Sequence, residues 1–99
     1  MMPPIIQPED FMKAEEFWDV YAKVYKKYEF TGFRAVSKPV DPTSSFFEEG
    51  LFQNDAGVWC VEETSKKGEK PFHWEFESED EAVETVLREC EGRKKIAFQ

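Results

Sequence analysis

Val58-Trp59-Cys60-Val61, then the polar Ser65-Lys66-Lys67-Gly68-Glu69, then Phe72-His73-Trp74-Glu75-Phe76-Glu77 is the stretch that decides how this chain is read. The first run is rich in strand-favouring residues, and the link between the runs contains a glycine. In the second run apolar and polar residues alternate strictly. A strand sends successive side chains to opposite faces, so Phe72, Trp74 and Phe76 share one face and His73, Glu75 and Glu77 the other. The pattern predicts a β-hairpin over about 57–64 and 70–77. Its ring face is expected to lie against a helix, and His73, Glu75 and Glu77 are expected to face solvent.

Downstream, Ser78 followed three residues later by Glu81 has the form of a capping box, with Glu79 and Asp80 at the positive end of the helix dipole. Ala82, Val83, Val86, Leu87 and Cys90 line one face of that helix. Gly92 is expected to stop it, with Arg88, Arg93, Lys94 and Lys95 near its carbonyl end. Ile96-Ala97-Phe98 then adds a last short strand or docks on the core.

Upstream, Asn54-Asp55-Ala56-Gly57 signals a turn. The stretch Phe46, Phe47, Leu51 and Phe52, interrupted by Glu48-Glu49-Gly50, is open between a short strand and an irregular loop. Asp41-Pro42-Thr43-Ser44-Ser45 reads as a turn, and Phe33 to Lys38 as a short strand ended by Pro39. Further back, Phe11, Ala14, Trp18, Tyr21, Tyr25 and Tyr28 step by 3, 4, 3, 4 and 3, which keeps one helical face. With Pro8 in the first turn and Thr31-Gly32 at the end, this predicts a long amphipathic helix over 8–29. Assembled, residues 1–99 form a single α+β domain. It consists of a small single-layer antiparallel sheet containing a β-hairpin, packed against a long N-terminal helix and a C-terminal helix.

Composition narrows the function. The 99 residues carry 13 Lys and Arg against 21 Asp and Glu, a net charge of −8. This opposes binding to nucleic acid, which needs clustered bases, and to anionic membrane surfaces. No apolar run is long enough to span a membrane, and Met1 to Ile6 lacks the pattern of a secretory signal. Aromatics make up 16%, more rings than a core of this size usually hides, so some are expected at the surface. Cys60 and Cys90 are expected to be buried thiols in a reducing cytoplasm, and with His73 they do not supply the four soft ligands of a structural zinc. A Cys60–His73 nucleophile lacks a third group to orient the imidazole. The glutamate pairs Glu48-Glu49 and Glu62-Glu63 are not flanked by an active-site loop, and nucleotide-binding, hydrolase and calcium-loop motifs do not occur. A protein without catalytic residues, metal or cofactor is therefore expected.

One local bias stands out. From Pro71 to Leu87 there are six acids, Glu75, Glu77, Glu79, Asp80, Glu81 and Glu84, and no Lys or Arg, so the remaining 82 residues sum to −8 + 6 = −2. Such a patch steers a basic partner. Together with Gly57-Val58-Trp59-Cys60-Val61, Lys66-Lys67-Gly68 and Pro71-Phe72-His73-Trp74-Glu75-Phe76, the run Ser78-Glu79-Asp80-Glu81-Ala82 resembles the small acidic immunity proteins of bacterial polymorphic-toxin and contact-dependent growth-inhibition systems. The resemblance implies a cytoplasmic protein, monomeric or weakly dimeric, that binds a basic, nuclease-type cognate toxin and occludes it. Glu75, Glu77, Glu79, Asp80, Glu81, Glu84 and His73 are the candidate partner-binding residues. The competing expectation is a non-enzymatic regulatory subunit that oligomerises through exposed aromatics.

Overall fold

The computed structural model of this chain describes residues 13–66 and 68–97. Four strands, β1 (Phe33–Val36), β2 (Phe47–Gln53), β3 (Trp59–Glu63) and β4 (Phe72–Phe76), form one sheet in the order β1-β2-β3-β4. One face of the sheet is covered by an N-terminal helical stretch, α1 (residues 14–26), and by a C-terminal helix, α2 (Glu79–Ala97). The two helices run in the same direction. The Ala14 amide donates to Glu79 Oε2 at 2.7 Å at one end, and the Tyr25 hydroxyl donates to Glu91 Oε1 at 2.7 Å towards the other.

The α+β class holds, but two features of the expected architecture do not. The first is the long N-terminal helix. Its proposed start at Pro8 and its first apolar position, Phe11, lie outside the described residues. Within them, α1 is an α-helical turn (Ala14–Glu16), a π-helical segment (Phe17–Tyr21) and a second α-helical run (Ala22–Lys26). It gives way to a 3-10 turn (Glu29–Thr31) closed by Gly32 at φ 88°. The π segment has a packing reason. In an unbroken α-helix, eight steps of about 100° leave two side chains about 80° apart. A π turn takes up an extra residue, so Phe17 and Tyr25 both return to the core, at 0% and 1% exposure. Their rings sit 6.5 Å apart, and Trp18 packs edge-on to Phe17 at 4.8 Å.

The second is the all-antiparallel sheet. β2–β3 and β3–β4 are antiparallel, but β1 pairs with β2 in parallel, Phe33 opposite Phe47 and Arg34 opposite Glu48. A parallel pair needs a crossover, usually a helix. Here residues 37–46 do the work without one, lying across the face of the sheet that the helices leave open. Two features hold them there. Gly50 lets the crossover come close, because a Cβ at that position would stand 2.7 Å from the Lys38 carbonyl oxygen. The buried Glu48 carboxylate supplies the polar anchor. Its Oε2 accepts from Arg34 Nε at 2.7 Å, and its Oε1 accepts from the Asp41 amide at 2.9 Å. The Glu48 amide in turn donates to the Thr64 hydroxyl oxygen at 3.0 Å. The residues read as either strand or loop are thus the seven-residue β2, an inner strand of the sheet.

The other expected elements fall near their predicted bounds. Asn54 Oδ1 accepts from the Ala56 and Val58 amides, both at 2.9 Å, and closes the β2–β3 turn with Gly57 at φ 81°. Ala82, Val83, Val86 and Cys90 of α2 are buried against β2 and β3. Gly92 does not stop α2, which continues to Ala97 and so takes up the residues expected as a last strand; Phe98 lies outside the described residues. Beyond Gly92 the helix still has partners. The Arg93 guanidinium sits 3.4 Å over the Phe47 ring and reaches Glu63 Oε1 at 3.2 Å.

Removing the Glu48 carboxylate strands Arg34 and the Asp41 amide. Glu48→Ala is therefore expected to lower stability by about 2–3 kcal/mol, less than for a fully buried pair because Arg34 is partly exposed. Urea unfolding reads this loss, with the exposed loop variant Glu69→Ala as the unaffected control.

Candidate functional site

The acidic stretch predicted to bind a partner does not form one surface. β4 sends His73 and Glu75 to the face opposite the helices, whereas Glu77, Glu81 and Glu84 are exposed at the start and along the outer side of α2. Asp80 is half-buried. Glu79 serves the fold, since its carboxylate caps the first turn of α1 through the Ala14 amide. It also lies where an acid is favoured by the α2 dipole.

The β4 ring face departs from expectation. Phe76 is partly buried and packs on the core, but Phe72 is 55% and Trp74 39% exposed. Their rings stack at 6.1 Å with an interplanar angle of 26°. β4 pairs only with β3 among the described residues, so its far edge is open. α2 runs back from the end of β4, and Arg93 reaches Glu63, the β3 partner of Phe72. Glu81 and Glu84 are exposed on α2, and Glu77 directly follows the end of β4.

On the opposite face the imidazole of His73 is held on both sides. Nδ1 lies 2.7 Å from Glu62 Oε2 and Nε2 lies 3.1 Å from Glu75 Oε2. This corrects the expectation that nothing orients His73. Glu62 was missed as its partner, although it lies two positions from Cys60 on β3 and so on the same face. The hydrogen bonds to Glu75 and then Glu62 raise the His73 pKa above its ordinary value. Cys60 Sγ, a His73 nitrogen and a Glu75 oxygen lie within 4.8 Å of one another. The thiol is nevertheless poorly suited to act as a nucleophile. Cys60 is buried, its Sγ lies 3.4 Å from the Val58 carbonyl oxygen, and burial followed by the Glu75 and Glu62 charges raises its pKa. Both imidazole nitrogens are engaged by carboxylates, which is the arrangement of a charged surface cross-link between β3 and β4.

Comparison of the chain with protein-family models, with curated proteins and with solved structures gives no match. None of the helices among the described residues is long and apolar enough to cross a membrane.

A histidine whose pKa is raised on folding adds stability that is fully present below its unfolded value of about 6.5 and is lost as pH rises through the folded value. The stability difference between the wild type and His73→Gln is thus expected to be largest below about pH 6.5 and to shrink above it. Urea unfolding across this range, with an NMR titration of the single histidine, measures both halves. A His73 that titrates below its ordinary value would refute the double-carboxylate clamp.

Proposed function

We propose that this chain is an immunity-type inhibitor that acts in the cytoplasm, where it binds a basic toxin protein and neutralises it by covering it. The observation that carries this reading is the open Phe72–Trp74 stack at the free edge of β4, in a chain that also exposes Glu77, Glu81 and Glu84. Interfaces draw most of their affinity from a few aromatic anchors that leave water on binding, while surrounding charges set the encounter rate and the choice of partner. The ring pair fits the first role and Glu77, Glu81 and Glu84 fit the second. A nuclease-type toxin suits this surface because proteins that contact phosphates carry clustered Lys and Arg. Glu75 and His73, on the other face of the sheet, and Glu79, in the α1 cap, are peripheral to this surface.

The same rings support a second reading, a subunit that pairs with itself, to which Phe30 at 78% exposure adds a further apolar point. Sedimentation of the isolated chain separates the two, because a homodimer that persists on dilution favours self-association.

The inhibitor reading is tested by co-expression with the toxic product of the adjoining gene. Phe72→Ala with Trp74→Ala is expected to weaken binding by about 2 kcal/mol or more, mainly through faster dissociation. Reversing Glu77, Glu81 and Glu84 to Lys is expected to slow association about tenfold at low salt, and less at high salt. Full neutralisation by both variants would overturn the surface assignment. The absence of a toxic neighbour would overturn the inhibitor reading itself.

A further inference from the structure

The face of β2 that lies under α2 carries a second buried glutamate, and this one lacks the partners that Glu48 has. Glu49 is 0% exposed, and neither of its carboxylate oxygens meets a hydrogen-bond donor. It is directly opposite Glu63 across the β2–β3 pair. α2 brings Glu89 to the same point, and carboxylate oxygens from Glu49, Glu63 and Glu89 lie within 4.8 Å of one another. Fully ionised, the three carboxylates would carry −3. The nearby cation is Arg93, which donates to one oxygen of Glu63 at 3.2 Å and leaves the cluster at −2. An acidic side chain buried without a donor or counter-charge is among the costliest arrangements a fold can hold. Burial, then the charges of Glu63 and Glu89, push the Glu49 carboxyl up to about 9.

A proton on Glu49 cancels one of these charges and allows one hydrogen bond to Glu63, but it leaves a negative charge uncompensated. A divalent cation cancels both remaining charges and turns the crowding of oxygens into coordination. We propose that Glu49, Glu63 and Glu89 bind a divalent metal ion, with Ca²⁺ as the preferred occupant.

The ligand set consists of hard oxygen donors, which select calcium, magnesium or manganese over zinc and copper. The burial of Glu49 favours the larger ion, which sheds its water more readily. Mg²⁺ keeps several of its waters, and the dry position of Glu49 has no room for them. Access runs through the other two ligands, since the Glu63 side chain is 14% exposed and Glu89 is half-buried. The ion would join β2, β3 and α2, the three elements that make up the middle of the molecule. The site uses none of the residues assigned to the partner surface, although Glu63 stands opposite Phe72.

The test uses the full chain, stripped with a chelator and titrated with CaCl₂, MgCl₂ and MnCl₂ by calorimetry and thermal unfolding. Ca²⁺ is expected to give saturable one-site binding and to raise Tm with concentration, with Mg²⁺ at least about tenfold weaker. Glu49→Gln and Glu89→Gln are each expected to lower Ca²⁺ affinity at least about tenfold, while Glu84→Gln on the exposed side of α2 is expected to bind as the wild type does. Glu49→Gln keeps the shape of the side chain and removes an unpaired charge, so it is expected to fold, and Glu89, half-buried on a helix, gives a second variant free of the core. Two outcomes would overturn the proposal. One is a wild type with neither heat nor Tm shift at millimolar Ca²⁺. The other is a Ca²⁺ response that survives both Glu49→Gln and Glu89→Gln, which would place the ion on the general acidic surface.

Discussion

The ion pair between Arg34 and the buried Glu48 holds together the least regular part of the molecule. β1 has four residues and is the first strand of its sheet edge, with a parallel partner and no crossover helix to press it into place. Glu48 ties it to β2 through Arg34, ties the crossover to β2 through the Asp41 amide, and ties β3 in through the Thr64 hydroxyl. The crossover is also fastened from β3, where Glu62 Oε1 accepts from the Val40 amide at 3.2 Å. It is fastened again by the Gly68 amide, which donates to the Pro42 carbonyl at 2.8 Å. These contacts do for the open face of the sheet what an apolar layer does on the helical face. Polar groups achieve it because nearly every one of them has its partner.

The parts of this fold that can be read from the sequence are those made by local rules. The alternation Phe72 to Phe76, the Asn54–Gly57 turn and the face Ala82, Val83, Val86, Cys90 each depend on residues a few positions apart, and each lands where its pattern puts it. The missed features depend on residues far apart in the chain. β2 reads poorly because two of its seven residues, Glu48 and Glu49, are charged and yet buried, and only Arg34 and the crossover make sense of Glu48. The parallel pairing has no local signature, since a ten-residue link with two prolines looks like any loop. The π segment is equally hidden. Even 3–4 stepping through Trp18 and Tyr21 favours an unbroken helix, and only the demand to bury both Phe17 and Tyr25 disturbs it. Of the candidate partner residues, the exposure of Glu77, Glu81 and Glu84 follows from their polar positions, whereas the Glu79 cap on Ala14 spans 65 residues and leaves no trace in its neighbourhood.

The open rings of β4 follow from the size of the residues on α2. Its buried positions are Ala82, Val83, Val86 and Cys90, all small, so the helix can lie close to the sheet. A helix that sits low covers a narrow strip, and α2 is centred on β2 and β3. Phe76 is tucked in where the chain turns up into α2, but Phe72 and Trp74 fall beyond the strip and stack on each other. The surplus of aromatics in the composition therefore has a particular place to go. It gathers at a sheet edge, the position where an exposed strand is most open to pairing with another chain. Acids beside such an edge also discourage indiscriminate association.

Glu48 and Glu49 are neighbours on one strand, equally buried, and sent to opposite faces by the pleat. On one face the carboxylate meets a guanidinium and a backbone amide, and its burial is satisfied within the chain. On the other it meets two further carboxylates and no donor. If burial of acids on β2 were only an accident of packing, the helical face, which is otherwise apolar, would be the place where it cost most. Placing three acids from three elements there, with Arg93 donating to Glu63, crowds carboxylates in a region of low dielectric where ionising all three is costly without a counter-charge. A positive charge drawn to that point gains far more than it would at the exposed acids of α2, where water screens each carboxylate. The two acidic regions of the molecule thus differ in what they are proposed to hold: a basic protein surface at the outer one, and a single small cation at the inner one.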